Sequence, residues 1–198
     1  GNLGTLLLDP TNIFITRTAA TIEPIDPEPP EFDPTEPEPE SEEVTIDAAT
    51  LENQSANVVL EATDNITIQP GVSLNFTTGG GSIRFIADSE GDYLGAFRMD
   101  STQAIVAPGR DVVISGASIT AGTIDTSTLL GNAGGITLTA SRGDILTGSL
   151  LASSGIGSGG EIALQAPAGA ISLGPIDTQG ILNGGNIGIT AANEVALS

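Results

Sequence analysis

A repeat of 25 to 26 residues constrains the fold of this chain more than any other feature. The segments GTIDTS, GSLLAS and GPIDTQ each begin 26 residues after the one before, and a glycine pair recurs every 25 residues. The glycine pairs occupy positions 134–135, 159–160 and 184–185. A chain with such a period is built from similar units, each of which buries its apolar face only against its neighbours.

Each repeat contains three short apolar segments with glycine, serine or asparagine between them. Apolar and other residues alternate within a segment, as in ITL, IAL and IGI, which is the pattern of a β-strand. The segments form three columns along the chain: Ile136, Ile162 and Ile187; Ile145, Ile171 and Val195; Ile124, Leu150 and Ile176. Each coil therefore contributes three strands, and equivalent strands are about 25 residues apart.

The first column extends towards the N-terminus through Val112, Ile83 and Val58. Leu6 lies 52 residues before Val58, which corresponds to one coil plus a 26-residue insertion at 18–43. The repeat does not set the register between residues 86 and 107. We predict an all-β chain, a right-handed parallel β-helix of about six coils that forms a single domain over residues 1–198.

The β-helix prediction also specifies the corners of the coils and excludes an alternative fold. The paired glycines are expected to supply the positive φ angles that sharp corners need. An antiparallel sandwich also explains short strands, but it does not explain three columns that keep a common period.

The insertion 18–43 differs in composition from the rest of the chain. Residues 23–43 hold seven of the 12 prolines and ten of the 25 acidic residues. Charge repulsion and proline favour an extended, solvated segment, so we expect a disordered loop that leaves the solenoid. The alternative is a spacer or a tether that attracts cations.

The charge excludes several classes of partner. The net charge is -20, and all five basic residues are arginines. Nucleic acid is therefore not expected as a partner, because phosphate binding needs a basic surface. The sequence lacks histidine and cysteine, the commonest general base and the thiolate nucleophile. No apolar run is long enough for a membrane-spanning helix, no signal peptide is visible, and the first residues fall inside the repeat, so we expect a piece of a longer protein.

The stretch DSEGDYLG is the candidate metal site. Asp88, Glu90 and Asp92, with the carbonyl of Gly91, offer oxygen ligands around a glycine turn, as Ca²⁺ prefers. The stretch lacks the ligand spacing of an EF-hand. The alternative interpretation is a solvated turn without metal.

The tripeptide Arg142-Gly143-Asp144 matches a sequence that some matrix proteins present to integrins. Gly143 is equivalent to Gly169 one coil later, and Ile145 to Ile171. We expect a corner of the solenoid here rather than a cell-attachment loop.

Catalysis on a β-helix would most readily be polysaccharide cleavage, by Ca²⁺ with a basic residue or by clustered aspartates. The nearest mixture is Arg84, Arg98 and Arg110 with the acids between 88 and 100. No carboxylate cluster recurs across coils, so we expect a non-enzymatic protein.

Four segments of the chain resemble a known family. They are GTLLLDPTNIFI, ATLENQSANVVLEATDNITI, GSIRFIAD and ITAGTIDTS with the GNAGGITLTA and GDILTG that follow it. They look like the repeat region of filamentous-haemagglutinin-type exoproteins, and the large cyanobacterial members look closest. The resemblance covers the chain except residues 18–43 and does not include the family's amino-terminal secretion domain.

The resemblance implies a β-helical rod that an outer-membrane transporter secretes by two-partner secretion to the cell surface. It implies adhesion, aggregation or biofilm formation, with cell-surface or extracellular polysaccharide as a partner. Two alternatives stay open: a polysaccharide-active β-helix enzyme, and a filament unit that self-associates through its coil ends.

Overall fold

Three parallel β-sheets run side by side along the chain in a computed structural model that describes residues 5–8, 10–17, 43–77 and 80–197. The first sheet contains β1 (Thr5–Leu8), β4 (Asn57–Glu61), β7 (Ile83–Ile86), β10 (Val112–Gly116), β13 (Ile136–Ala140), β16 (Ile162–Ala166) and β19 (Ile187–Ala191). The second contains β3 (Glu43–Asp47), β2 (Asn12–Thr16), β5 (Ile66–Ile68), β8 (Ala96–Arg98), β11 (Ser118–Ala121), β14 (Ile145–Thr147), β17 (Ile171–Leu173) and β20 (Val195–Leu197). The third contains β6 (Leu74–Asn75), β9 (Ala104–Val106), β12 (Thr123–Asp125), β15 (Leu150–Leu151) and β18 (Ile176–Asp177). One helix, α1 (Ala48–Glu52), precedes β4.

The solenoid and the register of its columns are confirmed. Val58 pairs in parallel with Leu6 on one side and with Ile83 on the other, so one coil and an inserted segment do separate Leu6 from Val58. Because the third sheet has five strands, the described chain forms five coils with three strands each, flanked by incomplete coils, close to the six predicted.

The core is a column of inward side chains along the stack. Ile119, Ile145 and Ile171 lie above one another in the second sheet and are at most 1% exposed. Their neighbours in each strand point outward, because successive side chains of a strand alternate between its faces. Burial of the column in every coil is the force that keeps the period.

The region without a predicted register owes its irregularity to a long corner. Residues 87–95 connect β7 to β8, whereas Ala117 alone connects β10 to β11 in the next coil. Beyond this corner Phe97 re-enters the core and packs against Phe85, with ring centroids 5.4 Å apart. The period lengthens here because the corner grows while the strands keep their places.

The expectation for the paired glycines is wrong. The positive φ angles of the described glycines are at Gly71, Gly81, Gly91, Gly109 and Gly131, not at the pairs. At least one glycine of each pair is needed for space instead. A Cβ at Gly160 would clash with the backbone carbonyl of Gly134, and one at Gly185 with that of Gly160.

The two ends of the stack differ. Strand β3 pairs with the outer edge of β2, and α1 packs against β3 and β6 with Leu51 fully buried. Residues 18–42 of the predicted insertion lie outside the described residues, and Glu43 already belongs to β3. Strand β3 therefore covers the edge of β2 in the second sheet.

An ion pair fastens this covered end. Arg17 donates to both carboxylate oxygens of Glu52 and to the carbonyl of Ser73, and Glu52 also accepts from the amide of Asn75 at 2.8 Å. Glu52 raises the pKa of Arg17, chiefly through their hydrogen bonds. The end of β2, α1 and β6 are thereby held together.

At the other end the core column is open. Ile187 and Val195 are 50% and 45% exposed, whereas their equivalents one coil earlier, Ile162 and Ile171, are buried. This end presents strand edges and apolar side chains together.

Candidate functional site

The three predicted calcium ligands all lie in the long corner 87–95. Asp88 is buried at a positive φ of 57° and its Oδ1 accepts a hydrogen bond from the amide of Tyr93 at 2.9 Å. Its Oδ2 accepts from the Ser141 hydroxyl at 3.5 Å. Both oxygens of Asp88 thus hold the corner together and fasten it to a later coil.

The other two carboxylates of this corner are exposed. Asp92 accepts a hydrogen bond from the amide of Leu94 at 3.0 Å, while Glu90 lies on the outside of the turn. Over the described ranges, no group of three histidine, cysteine, aspartate or glutamate side chains is placed to hold a metal. Calcium binding at this corner stays a prediction, and its test is given below.

The Arg-Gly-Asp tripeptide forms a corner that is tied to its neighbours. The amide of Gly143 donates to the carbonyl of Ala117 at 2.7 Å, and Asp144 accepts from the amide of Ala170 at 2.7 Å. The guanidinium of Arg142 lies 5.7 Å from the centroid of the Tyr93 ring, a cation–π distance. Asp144 and Arg142 therefore both have structural partners, in the next coil and in the long corner.

The three arginines considered for catalysis are not brought together. Arg84 lies on the outer face of the first sheet, and Arg98 lies on that of the second, where it donates to Asn65. Arg110 is 1% exposed and donates to the carbonyls of Gln54 and Ala56. The sequence does not indicate this burial. The signal that could have found it is an arginine at a corner position that the three following coils fill with glycine.

A groove of about 500 Å³ runs along the first sheet across three coils. Asp111 and Glu161 line its two ends, and Gly135 lies between them because the three residues precede equivalent strands. Asp111 accepts from the amide of Gly135 at 2.8 Å, which fixes its carboxylate at the groove. An open groove that crosses three coils, with a carboxylate at each end, can accommodate an extended chain such as a polysaccharide.

A smaller groove of about 280 Å³ lies on the second sheet, beside Thr67, Arg98 and Asp100. Asp100 accepts from the hydroxyl of Thr102 at 2.6 Å and from its amide at 2.8 Å. These two bonds, the hydroxyl bond foremost, hold the pKa of Asp100 below its ordinary value. The carboxylate in this groove therefore stays charged to lower pH than a free aspartate.

Replacing Thr102 with alanine should raise the pKa of Asp100 towards its ordinary value. The carboxylate form loses its strongest hydrogen bond, while the amide bond remains. The pKa of Asp100 is depressed in the folded chain. The ionised carboxylate therefore stabilises the fold above the unfolded-state pKa, and this stabilisation is lost as the pH falls through the folded-state pKa. The pKa of Asp100 is measured from its carboxyl NMR shift between about pH 2 and 6. The Ser101→Ala control should leave the titration unchanged, and an unchanged titration in Thr102→Ala would contradict the assignment.

Exposed aliphatic side chains, which were not expected from the sequence, lie on the corner between the third and first sheets. They are Leu129, Leu130, Ile156, Ile181 and Leu182, and we call them the corner ridge. The signal was present: aliphatic residues stand in glycine-rich loops, outside the alternating strand pattern.

Among the described residues, no helix is long and apolar enough to cross a membrane. No protein-family model, curated protein or solved structure matches the chain.

Proposed function

We propose that this chain is a non-enzymatic rod segment of a large secreted surface protein, one that serves adhesion, aggregation or biofilm formation. The observation that carries the proposal is the uninterrupted register of three parallel sheets along the described chain. A stack of similar coils extends in one direction at roughly 4.8 Å per coil, which suits projection or spacing.

Hydrogen bonds between polar corner residues and the next coil support the same proposal. Asp111, Asn132 and Asp144 each accept a backbone amide of the following coil. These side chains bind one rung to the next, as a rod needs. Binding of an outside molecule then falls to the outward faces and grooves, where many weak contacts can add up.

The partners we propose are a cell-surface or extracellular polysaccharide and, by the resemblance, an outer-membrane transporter of the two-partner secretion type. The groove between Asp111 and Glu161 is the surface we assign to the polysaccharide. An acidic groove selects for neutral or cationic sugars, since anionic chains would be repelled.

A polysaccharide-active enzyme is the second candidate, and the same groove favours it. Two carboxylates flank its floor, and glycoside hydrolysis uses such a pair. A filament unit that stacks through the open end near Val195 is the third.

One experiment tests the first two candidates together. The purified chain is incubated with immobilised polysaccharides and with whole cells, with and without Ca²⁺, while retained protein and released sugar ends are recorded. Retention without release supports the rod-segment proposal, and new sugar ends would replace it with the enzyme. If the chain is not retained and no sugar ends are released, a binding role for this segment is contradicted.

Three variants make the outcome specific. Asp111→Asn/Glu161→Gln removes both charges from the groove but keeps an acceptor for the Gly135 amide, so loss of retention would localise the binding. Asp92→Asn should abolish any Ca²⁺ dependence if the long corner binds the ion. Asp144→Glu should leave cell retention intact, because we assign the tripeptide a structural role.

A further inference from the structure

The loops that carry the corner ridge are longer than the turn requires. Residues 107–111 suffice to connect β9 to β10, whereas 126–135, 152–161 and 178–186 make the same connection in the next three coils. The longer loops place aliphatic side chains outside the solenoid, where they contribute nothing to its core. In three successive coils, the loop at this corner therefore projects from the solenoid.

The ridge is continuous along the rod. Thr128 forms a parallel bridge with Ser154, and Ser154 with Gly180, so the loops are in register. Leu130, Ile156 and Leu182 consequently lie one above another, and their exposed fractions are 79%, 57% and 67%. Single exposed aliphatic residues are ordinary on protein surfaces, but a contiguous row across three elements marks an interaction surface.

The polar groups beneath the ridge are already paired. The hydroxyl of Ser154 donates to the carbonyl of Gly131 at 2.6 Å and accepts from the amide of Gly157 at 2.7 Å. Asn132 accepts from the amide of Ser158 at 3.0 Å. Covering the ridge therefore leaves these groups satisfied, and the cost of burying unpaired polar atoms does not arise.

The charge of the ridge indicates its partner. The loops 126–135 and 178–186 contain no charged side chain, and 152–161 contains only Glu161, its last residue, in a chain of net charge -20. Two copies of such a chain repel each other across most faces, and at the ridge they can approach with few carboxylates between them. A membrane surface is a poorer fit, because interfacial anchors combine aliphatic residues with lysine, arginine or tryptophan, which these loops lack.

We propose that the corner ridge binds the corner ridge of a second copy of this chain, so that two rods lie side by side. Identical patches close most simply about a two-fold axis; with that axis perpendicular to the rods, the two copies are antiparallel and Ile156, in the middle of the ridge, lies at the axis. The contact is small beside a standard interface of about 800 Å² per partner, so association is weak and reversible. Repetition along a longer rod would strengthen it by avidity.

The test measures self-association and its geometry in the 198-residue chain. Sedimentation from about 10 μM to 1 mM is expected to show a dimer, a range suited to a small interface. Leu130→Ser/Ile156→Ser should weaken dimerisation at least tenfold. The matched control is Leu146→Ser, which replaces a 50% exposed leucine on the second sheet and should change nothing. Circular dichroism confirms that each variant is folded.

Cross-linking tests the two-fold axis directly, because the chain has no native cysteine. Ile156→Cys should form a disulfide-linked dimer under mild oxidation, while Leu146→Cys should not. Equal cross-linking of both variants would overturn the proposal, as would a monomer up to 1 mM.

Two further outcomes identify a different occupant and would also overturn it. If Val195→Lys abolishes association and the ridge variants do not, the copies stack end to end. If the chain stays monomeric and the ridge variants lose binding to phosphatidylcholine vesicles, the ridge meets a lipid surface.

Discussion

Replacing Gly160 with alanine is expected to lower the free energy of unfolding by about 3 kcal/mol, because the new methyl group has no space. A Cβ at this position would clash with the backbone carbonyl of Gly134 in the preceding coil. Backbone cannot move aside like a flexible side chain, so two rungs must separate or tilt. For a chain of this size the loss corresponds to a fall in Tm of about 6–12 °C.

Gly135, in the preceding glycine pair, provides the control. At Gly135 the nearest atom to a new Cβ is the carbonyl oxygen of Glu161 at 3.3 Å, which a small shift relieves. Gly135→Ala should therefore cost about 1 kcal/mol or less. Urea unfolding of both variants measures the difference. Equal losses would show that alanine acts through backbone conformation rather than through the spacing of the coils.

Replacing Arg110 with alanine should cost about 3–4 kcal/mol in the same assay, since it leaves two carbonyls without their donor and empties a buried volume. The guanidinium donates to the carbonyl of Gln54 at 3.1 Å and to that of Ala56 at 2.7 Å. It also lies 5.3 Å from the centroid of the Phe76 ring. These contacts join the segment after α1 to a corner two coils away.

Two variants separate the causes of that loss. Burial lowers the pKa of Arg110, yet the group stays charged at neutral pH. Arg110→Lys keeps the charge but loses the planar fork, so an intermediate cost of about 1–2 kcal/mol is expected. Arg84→Ala removes an exposed arginine and should change stability by no more than about 0.5 kcal/mol. A loss in Arg110→Ala no larger than in Arg84→Ala would contradict a structural role for the buried arginine.

Strand β3 closes the second sheet beside β2. It occupies the place in this sheet that a preceding coil would fill, although it follows β2 in the chain. In β19 and β20, Ile187 and Val195 are both about half exposed.

The candidate site was only partly predictable. The sequence identified Asp88, Glu90 and Asp92 as neighbours in one turn, because they are adjacent in the chain. It did not reveal that the carboxylate of Asp88 accepts hydrogen bonds from Tyr93 and Ser141, since Ser141 lies 53 residues away. The groove between Asp111 and Glu161 joins residues two coils apart, and its existence depends on how three corners stack.

The sequence by itself determined the solenoid, its three columns and the position of nearly every rung, including the pairing of Leu6 with Val58. It could do so because each coil buries the same positions against its neighbours, so the packing repeats in the sequence as a period. Only the tertiary structure decided what breaks that period: the burial of Arg110 and the return of β3 beside β2. Each of these depends on contacts between distant residues that do not recur from coil to coil, so they leave no repeat to detect.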